Sequence, residues 1–430
     1  MTRLLFVNAS QVITCAGAPR ARRGKEAADA AILANVAIAV EDDIIGAVGP
    51  LNEIERDYGD AERIDCGGRV ISPGLVDSHT HAIFGRARYE EQELRAGGLG
   101  YMEIARRGGG IHSSVADLRK RTEDDLFVLA LARIQKLASY GSTTIEVKSG
   151  YGLSLEDELK SLRVIARLSR ELPVRLVPTW LGAHEIPLEF RGNSRARRDY
   201  VRLLIDEVLP AVVDGKLARF ADVFCEPGVF TLEETRSILE ASRTAGLGIK
   251  LHADELEPHG GAELAAELGA VSADHLAAIS EAGISALAAS GTVATLLPGT
   301  MLFLGRDRQA PARALLDGGA AVALATDFNP GTSPTVNFPL ILTLGVSQLR
   351  MTVAEVFIAA TVNGAAAVGL ADRVGQVAPG YSADLAVWDA SDVREIPYWY
   401  GDRRCIGTWV KGKRCHYAGA ADNLNLSREP

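Results

Sequence analysis

The chain has 430 residues, 47% of them hydrophobic and 23% charged, enough to bury a large core and too apolar for a disordered protein. A net charge of −9 without any Lys/Arg block argues against nucleic acid as a partner, so an anionic small ligand would need a local cation. Five cysteines without C-x-x-C spacing, and no apolar run of about 18 residues, predict a reduced, cytoplasmic protein with no membrane span.

From Leu4 to about Cys66 the pattern is one of short strands, at 4–7, 36–40 and 44–48, the last two joined by the charged turn Glu41-Asp42-Asp43. The same texture returns at 384–388 and 408–413. Neither end is large enough to hold a core of its own, so residues 1–68 and 371–430 are predicted to combine into one small β-sandwich beside a central unit over 69–370. In that unit strands alternate with helices. Strand runs are predicted at 70–76, 143–147, 174–180, 221–224, 249–251, 271–273, 292–297 and 322–325. Helices are expected to begin at Thr122, Ser154 and Thr231, each a cap hydroxyl three residues before a carboxylate. Eight strand-then-helix units point to the α/β class and a (β/α)8 barrel.

Functional residues of such barrels sit just beyond the strands, and polar residues cluster there. On the first strand His79 and His81, two apart on an extended chain, point the same way and can chelate one ion. Beyond the later strands come Lys148, Ser149 and Tyr151, then His184, Glu226, His252 with Glu255, Asp274 with His275, and Asp327 with Asn329. Strands one and eight are neighbours in a closed barrel and strand five faces them, which selects His79, His81, His252 and Asp327 as metal ligands. Three imidazoles and a carboxylate suit one zinc or iron ion per chain and leave a position open for water, giving hydrolysis of an amide-like C–N bond. Asp327 and His275 are the candidates for moving the proton, and Glu255 can hold a ring N–H or assist in the transfer. Arg88 offers a planar bidentate donor, the local cation that an anionic ligand would need, and Tyr151 a hydroxyl beside it.

The run Val70-Ile71-Ser72-Pro73-Gly74-Leu75-Val76-Asp77-Ser78-His79-Thr80-His81 resembles the first barrel strand of the amidohydrolase superfamily. Further motifs narrow the resemblance: Arg86-Ala87-Arg88-Tyr89-Glu90, Gly108-Gly109-Gly110-Ile111, Lys148-Ser149-Gly150-Tyr151-Gly152, Gly182-Ala183-His184-Glu185 and Asp327-Phe328-Asn329-Pro330-Gly331-Thr332. Across essentially the whole chain the sequence is similar to the imidazolonepropionase family of histidine catabolism. That resemblance implies opening of 4-imidazolone-5-propanoate by water to N-formimidoyl-L-glutamate, an anionic small-molecule substrate and a homodimer. It also implies that His184, Glu255, Asn329, Gly331 and Thr332 surround the ring and the opened product. Some superfamily members carry a carboxylated strand lysine between two metals, but Lys148 lies on the wrong strand for it, so one metal is expected. Gly108 to Gly110 is read as a loop covering the ring. The rival readings are another cyclic amidase or nucleobase deaminase, and a silent scaffold of the same fold.

Overall fold

The computed structural model describes residues 3–99, 103–104 and 108–415. The N-terminal strands are β1 (Arg3–Ile13), β2 (Ile32–Leu33), β3 (Ala37–Glu41), β4 (Ile44–Gly49) and β5 (Glu62–Pro73). Eight parallel strands follow: β6 (Leu75–Asp77), β7 (Ser142–Lys148), β8 (Arg175–Ala183), β9 (Phe220–Cys225), β10 (Gly248–Ala253), β11 (Ser272–His275), β12 (Val293–Leu296) and β13 (Ala321–Leu324). The C-terminal strands are β14 (Leu385–Trp388), β15 (Cys405–Val410) and β16 (Lys413–Cys415).

Both chain ends share one mixed sheet, ordered β16-β15-β14-β5-β1-β3-β4 with β2 on β1. Leu4, Phe6, Ile38, Val40, Ile71, Leu385 and Trp409 come from five strands of that sheet and pack in one buried cluster, so the sheet wraps its own core. Its two ends are interdependent, because Leu385 to Trp388 pair with Val70 to Pro73. The parallel strands form a second sheet in chain order from β6 to β13. It is closed by a parallel bridge between Thr80 and Phe328, with His81 N–H donating to Phe328 O at 2.8 Å and Asp327 N–H to His79 O at 3.1 Å. The closure thus ties together the two strand ends that carry His79, His81 and Asp327.

Seven of the predicted barrel strands lie where expected, shifted by a residue or a few at their ends. The first does not. The apolar run over 70–76 is split, its first part ending β5 in the terminal sheet and its last part forming the short β6. The break falls at Pro73-Gly74: proline has no N–H for a barrel ladder, while Gly74 N–H donates to Asp384 O of the terminal sheet. A Cβ at Gly74 would overlap the Thr143 side chain, so only glycine lets the chain cross between sheets there.

The three predicted helix starts are real caps. Thr122, Ser154 and Thr231 accept from the N–H groups of Asp125, Asp157 and Glu234 at the heads of helices Glu123–Ser139, Leu155–Glu171 and Leu232–Thr244. Their apolar stripes, such as Leu162, Ile165 and Leu168, pack into the large core around the barrel. Among the described residues no helix is long and apolar enough to cross a membrane.

Candidate active site

His79 and His81 follow β6, His252 lies on β10 and Asp327 follows β13, yet their side-chain tips meet. His81 Nε2 stands 3.3 Å from His79 Nε2 and 3.4 Å from His252 Nε2, while Asp327 Oδ1 is 3.7 Å from His79 Nε2 and 3.5 Å from His81 Nε2. Four donors arranged tetrahedrally about a small divalent ion, each about 2.0–2.1 Å from it, would be about 3.3–3.4 Å apart. The set is therefore already gathered to nearly the spacing a metal requires.

The protonation of the rings agrees. His79 Nδ1 lies 2.6 Å from Asp274 Oδ2, and His252 Nδ1 lies 3.0 Å from Asp222 Oδ2. A carboxylate at that distance holds the ring proton on Nδ1 and leaves Nε2 bare. Two bare nitrogens and a carboxylate facing one another would repel without a cation between them. Burial also holds His79 and His81 well below the ordinary imidazole range, which keeps them neutral as ligands must be, and does the same to the neighbouring His275. These residues fit a metal ion.

Lys148 sits beneath this cluster and is wholly buried. Its Nζ donates to Glu146 Oε1 at 2.6 Å and to Asp222 Oδ2 at 2.8 Å, with Asp274 Oδ2 at 3.9 Å. It is occupied as an ammonium in the barrel interior. Lys250 lies beside it, donating to Ser78 O at 2.8 Å, one residue before His79.

Above the ligands opens a cavity of about 300 Å³, whose wall includes Arg88, Tyr151, His184, Glu255, His275, Asn329 and Thr332 as well as His81, His252 and Asp327. Arg88 is buried; its Nη1 donates to Ser114 Oγ at 3.0 Å, and its Nε is 3.3 Å from Glu91 Oε1. Gly331 lies behind Arg88 rather than in the wall, and a Cβ there would overlap the guanidinium. His184 stacks on His81, with ring centres 5.1 Å apart, and its Nδ1 is 2.9 Å from Gly150 O. A carbonyl only accepts, so Nδ1 carries the proton and Nε2 is an acceptor. Burial pushes the pKa of His184 down to about 3, so the ring stays neutral.

Glu255 is buried, and burial first, then Asp327 and Glu226, pushes its carboxyl well above the ordinary range. Its Oε2 lies 3.7 Å from His275 Nδ1. Asp327 has one oxygen toward the imidazoles and the other accepting from Thr300 Oγ1 at 2.5 Å. The backbone is strained here, His275 having φ 81° and Asp327 φ 51°, conformations that aim both side chains off the strand ends. Asn329 is used up locally: its Nδ2 donates to Asp327 O at 2.8 Å and its Oδ1 accepts from the N–H groups of Gly331 at 2.9 Å and Thr332 at 2.7 Å. It shapes the turn that carries Asp327.

The sequence over residues 70–415 matches the Amidohydrolase family. The imidazolonepropionase of Solibacter usitatus is 44% identical over 98% of this chain and 100% of its own, and that of Geobacillus kaustophilus 46% over 93% and 95%. The chain is an amidohydrolase of the imidazolonepropionase family. Among solved structures, a zinc-bound adenosine deaminase from Xanthomonas campestris superposes with a TM-score of 0.70 at 19% identity, covering 96% of this chain and 92% of that one. A triazine hydrolase variant gives 0.70 at 17% identity, over 98% and 97%. At such identities the likeness is one of fold.

Several residues of this amidohydrolase site were not assigned from the sequence. His112, Glu185, Arg191 and Arg306 also line the cavity. Below it, buried acceptors hold the loops: Glu158 Oε1 takes the N–H groups of Gly150, Gly152 and Leu153 at 2.8–3.1 Å, and Asp254 those of His259, Gly260, Gly261 and Ala262 at 2.8–3.3 Å. Asp222 and Lys250 left one signal, an ionisable residue inside an apolar strand run.

Proposed function

We propose that this chain hydrolyses the ring C–N bond of 4-imidazolone-5-propanoate to give N-formimidoyl-L-glutamate, a step of histidine degradation. The observation that carries the reading is one cavity lined by His81, His252 and Asp327, with His79 gathered against them beneath, and by a buried arginine, in a chain 42–47% identical to eight imidazolonepropionases. His79, His81, His252 and Asp327 hold one zinc or iron ion, which three imidazoles and a carboxylate suit. Such an ion supplies a Lewis acid that polarises the ring carbonyl and makes water ionise near neutral pH.

The remaining work falls to the chain's own side chains. Arg88 binds the propionate, with the Tyr151 hydroxyl as a second donor, and His184 Nε2 accepts a ring N–H. Those contacts set the ring carbonyl over the floor of the cavity. Asp327 accepts a proton from the attacking water and is steadied by Thr300. Glu255, kept protonated by burial, donates to the departing ring nitrogen, and His275 beside it orients that carboxyl and can share the transfer. The water oxygen ends in the new carboxylate and its protons on the released nitrogen and in solution, so the step balances. Asn329, Gly331 and Thr332 shape the side of the cavity that receives the opened product. Gly108 to Gly110 covers the ring; Gly109 lines the cavity and Gly110 N–H is held by Glu91 Oε1 at 2.7 Å. A cytoplasmic homodimer completes the reading, and light scattering of the purified protein tests the dimer.

The test is turnover of 4-imidazolone-5-propanoate, followed by its ultraviolet loss and by mass analysis of the product. Formimidoylglutamate without ammonia is expected. Ammonia release, or no turnover by metal-loaded protein, sinks the assignment.

A further inference from the structure

Two of the three imidazoles at the metal site are aimed by carboxylates, and those carboxylates lie on strands that carry no ligand of the first pair. For His252 the support continues further. His252 Nδ1 lies 3.0 Å from Asp222 Oδ2, and the same oxygen accepts from Lys148 Nζ at 2.8 Å. Lys148 is anchored in turn by Glu146 Oε1 at 2.6 Å, and Glu146 Oε2 accepts from Thr80 N–H at 3.2 Å, between His79 and His81. Lys148, Glu146 and Asp222 have no solvent exposure in their side chains. The series therefore runs unbroken from the backbone of the first ligand pair, through two carboxylates and one ammonium, to the imidazole on the far side of the metal.

An ion pair in so dry a place is costly to form and costlier to leave half-made, so such a series needs a use beyond stability. The geometry supplies one. A carboxylate facing an imidazole Nδ1 can only accept, which fixes the ring proton and points Nε2 at the other donors; left alone in the interior, that carboxylate would turn to find another cation. Lys148 pins it by sharing Oδ2. The lysine cannot swing up into the metal cavity without abandoning both Glu146 and Asp222, and it is not part of the cavity wall.

We propose that Lys148 is a positioning residue for metal binding: through Asp222 it fixes the tautomer and direction of His252, and through Glu146 it ties that imidazole to the His79–His81 segment. The inference rests on the metal reading above. Lys148 acts through other side chains and touches neither the substrate nor the ion.

Zinc affinity measured by competition with a chromogenic chelator tests it on the full-length wild type, Lys148→Met, Asp222→Asn and the double variant, with the fold followed by circular dichroism. Wild-type protein that takes up no zinc refutes the metal reading itself. If wild type binds, each single variant should bind about 10- to 100-fold more weakly, and the double variant little more weakly than either, because both break one series. At saturating zinc the KM of both should stay near that of wild type, which a general collapse of the barrel would not allow. Should Lys148→Met fail to fold, the near-isosteric Asp222→Asn decides, with nitrogen-15 spectra of metal-free protein reporting whether the His252 proton leaves Nδ1. Zinc affinity within about twofold of wild type in a folded variant, or an unmoved His252 proton, overturns the proposal.

Discussion

Removing the Arg88 guanidinium tests the substrate assignment most directly. Arg88 is 5% exposed and sits in the cavity wall, so a carboxylate meeting it is bound by charge-assisted hydrogen bonds shielded from water. One such bond contributes about 1.5–3 kcal/mol, and two that act together should amount to about 3 kcal/mol after the carboxylate regains water, roughly 150-fold in kcat/KM. Truncation orphans only the uncharged Ser114 hydroxyl, because Glu91 keeps Gly110 N–H at 2.7 Å and Arg95 at 3.7 Å. Arg88→Ala should therefore act on KM and spare the fold. Gly331 provides an independent perturbation of the same group. Its φ lies outside the left-handed region, so alanine suits the backbone, yet the new methyl would occupy the place of the guanidinium. Gly331→Ala should lose a comparable factor with its metal content unchanged, and the double variant should be no worse than Arg88→Ala alone. Initial rates of ultraviolet loss across substrate concentration measure all three. An unchanged KM in Arg88→Ala, or effects of the two substitutions that multiply, would refute the clamp.

Glu158→Leu leaves the N–H groups of Gly150, Gly152 and Leu153 without their shared acceptor, which should cost about 3 kcal/mol in a denaturant titration and raise KM as Tyr151 and His184 lose their support; Glu158→Gln keeps an oxygen there and should lose less than half as much. Burial raises Glu226 to about 7, against the pull of backbone N–H groups, from an ordinary value of 4.5. A folded-state pKa above the unfolded one means stability fully present below about pH 4.5 and lost as pH rises through 7, by up to about 3 kcal/mol, so Glu226→Gln should be flatter than wild type between those values; parallel curves would count against it. Gly109→Pro removes the N–H that donates to Ile104 O at 3.0 Å and adds a ring against Ile104, so the protein should keep its zinc and lose turnover, and full activity would show that the glycine loop covers nothing.

What was legible in the sequence followed from periodicity. The two-residue repeat of a strand puts His79 and His81 on one side, and the rule that barrel sites lie beyond strand ends found His252, His275 and Asp327 without any knowledge of which strands touch. The same local reading failed at Val70 to Val76. That run is continuously apolar, and its division depends on Gly74 N–H donating to Asp384 O while the next N–H, of Leu75, donates to Gly141 O, a matter of tertiary pairing with distant parts of the chain. The families of motifs gave the cavity wall, Arg88, Tyr151 and His184, but they gave no hint that Asn329 spends its side chain on the turn beneath Asp327.

Asp222 and Lys250 escaped notice for a deeper reason. In an alternating strand an ionisable residue is ordinarily the side that meets water, and Ala221-Asp222-Val223 and Ile249-Lys250-Leu251 read that way. Inside a closed barrel both faces are covered, and the inward face is filled by side chains from neighbouring strands. There an isolated charge is prohibitive and a charge among partners is tolerable, so whether Asp222 is a surface residue or the support of His252 is decided by Lys148, 74 positions earlier on another strand. Metal ligands can be found one strand at a time because the ion needs only their tips. The groups that aim those tips can be found only after the barrel has closed, and their substitution should therefore weaken the metal while leaving every ligand in the sequence intact.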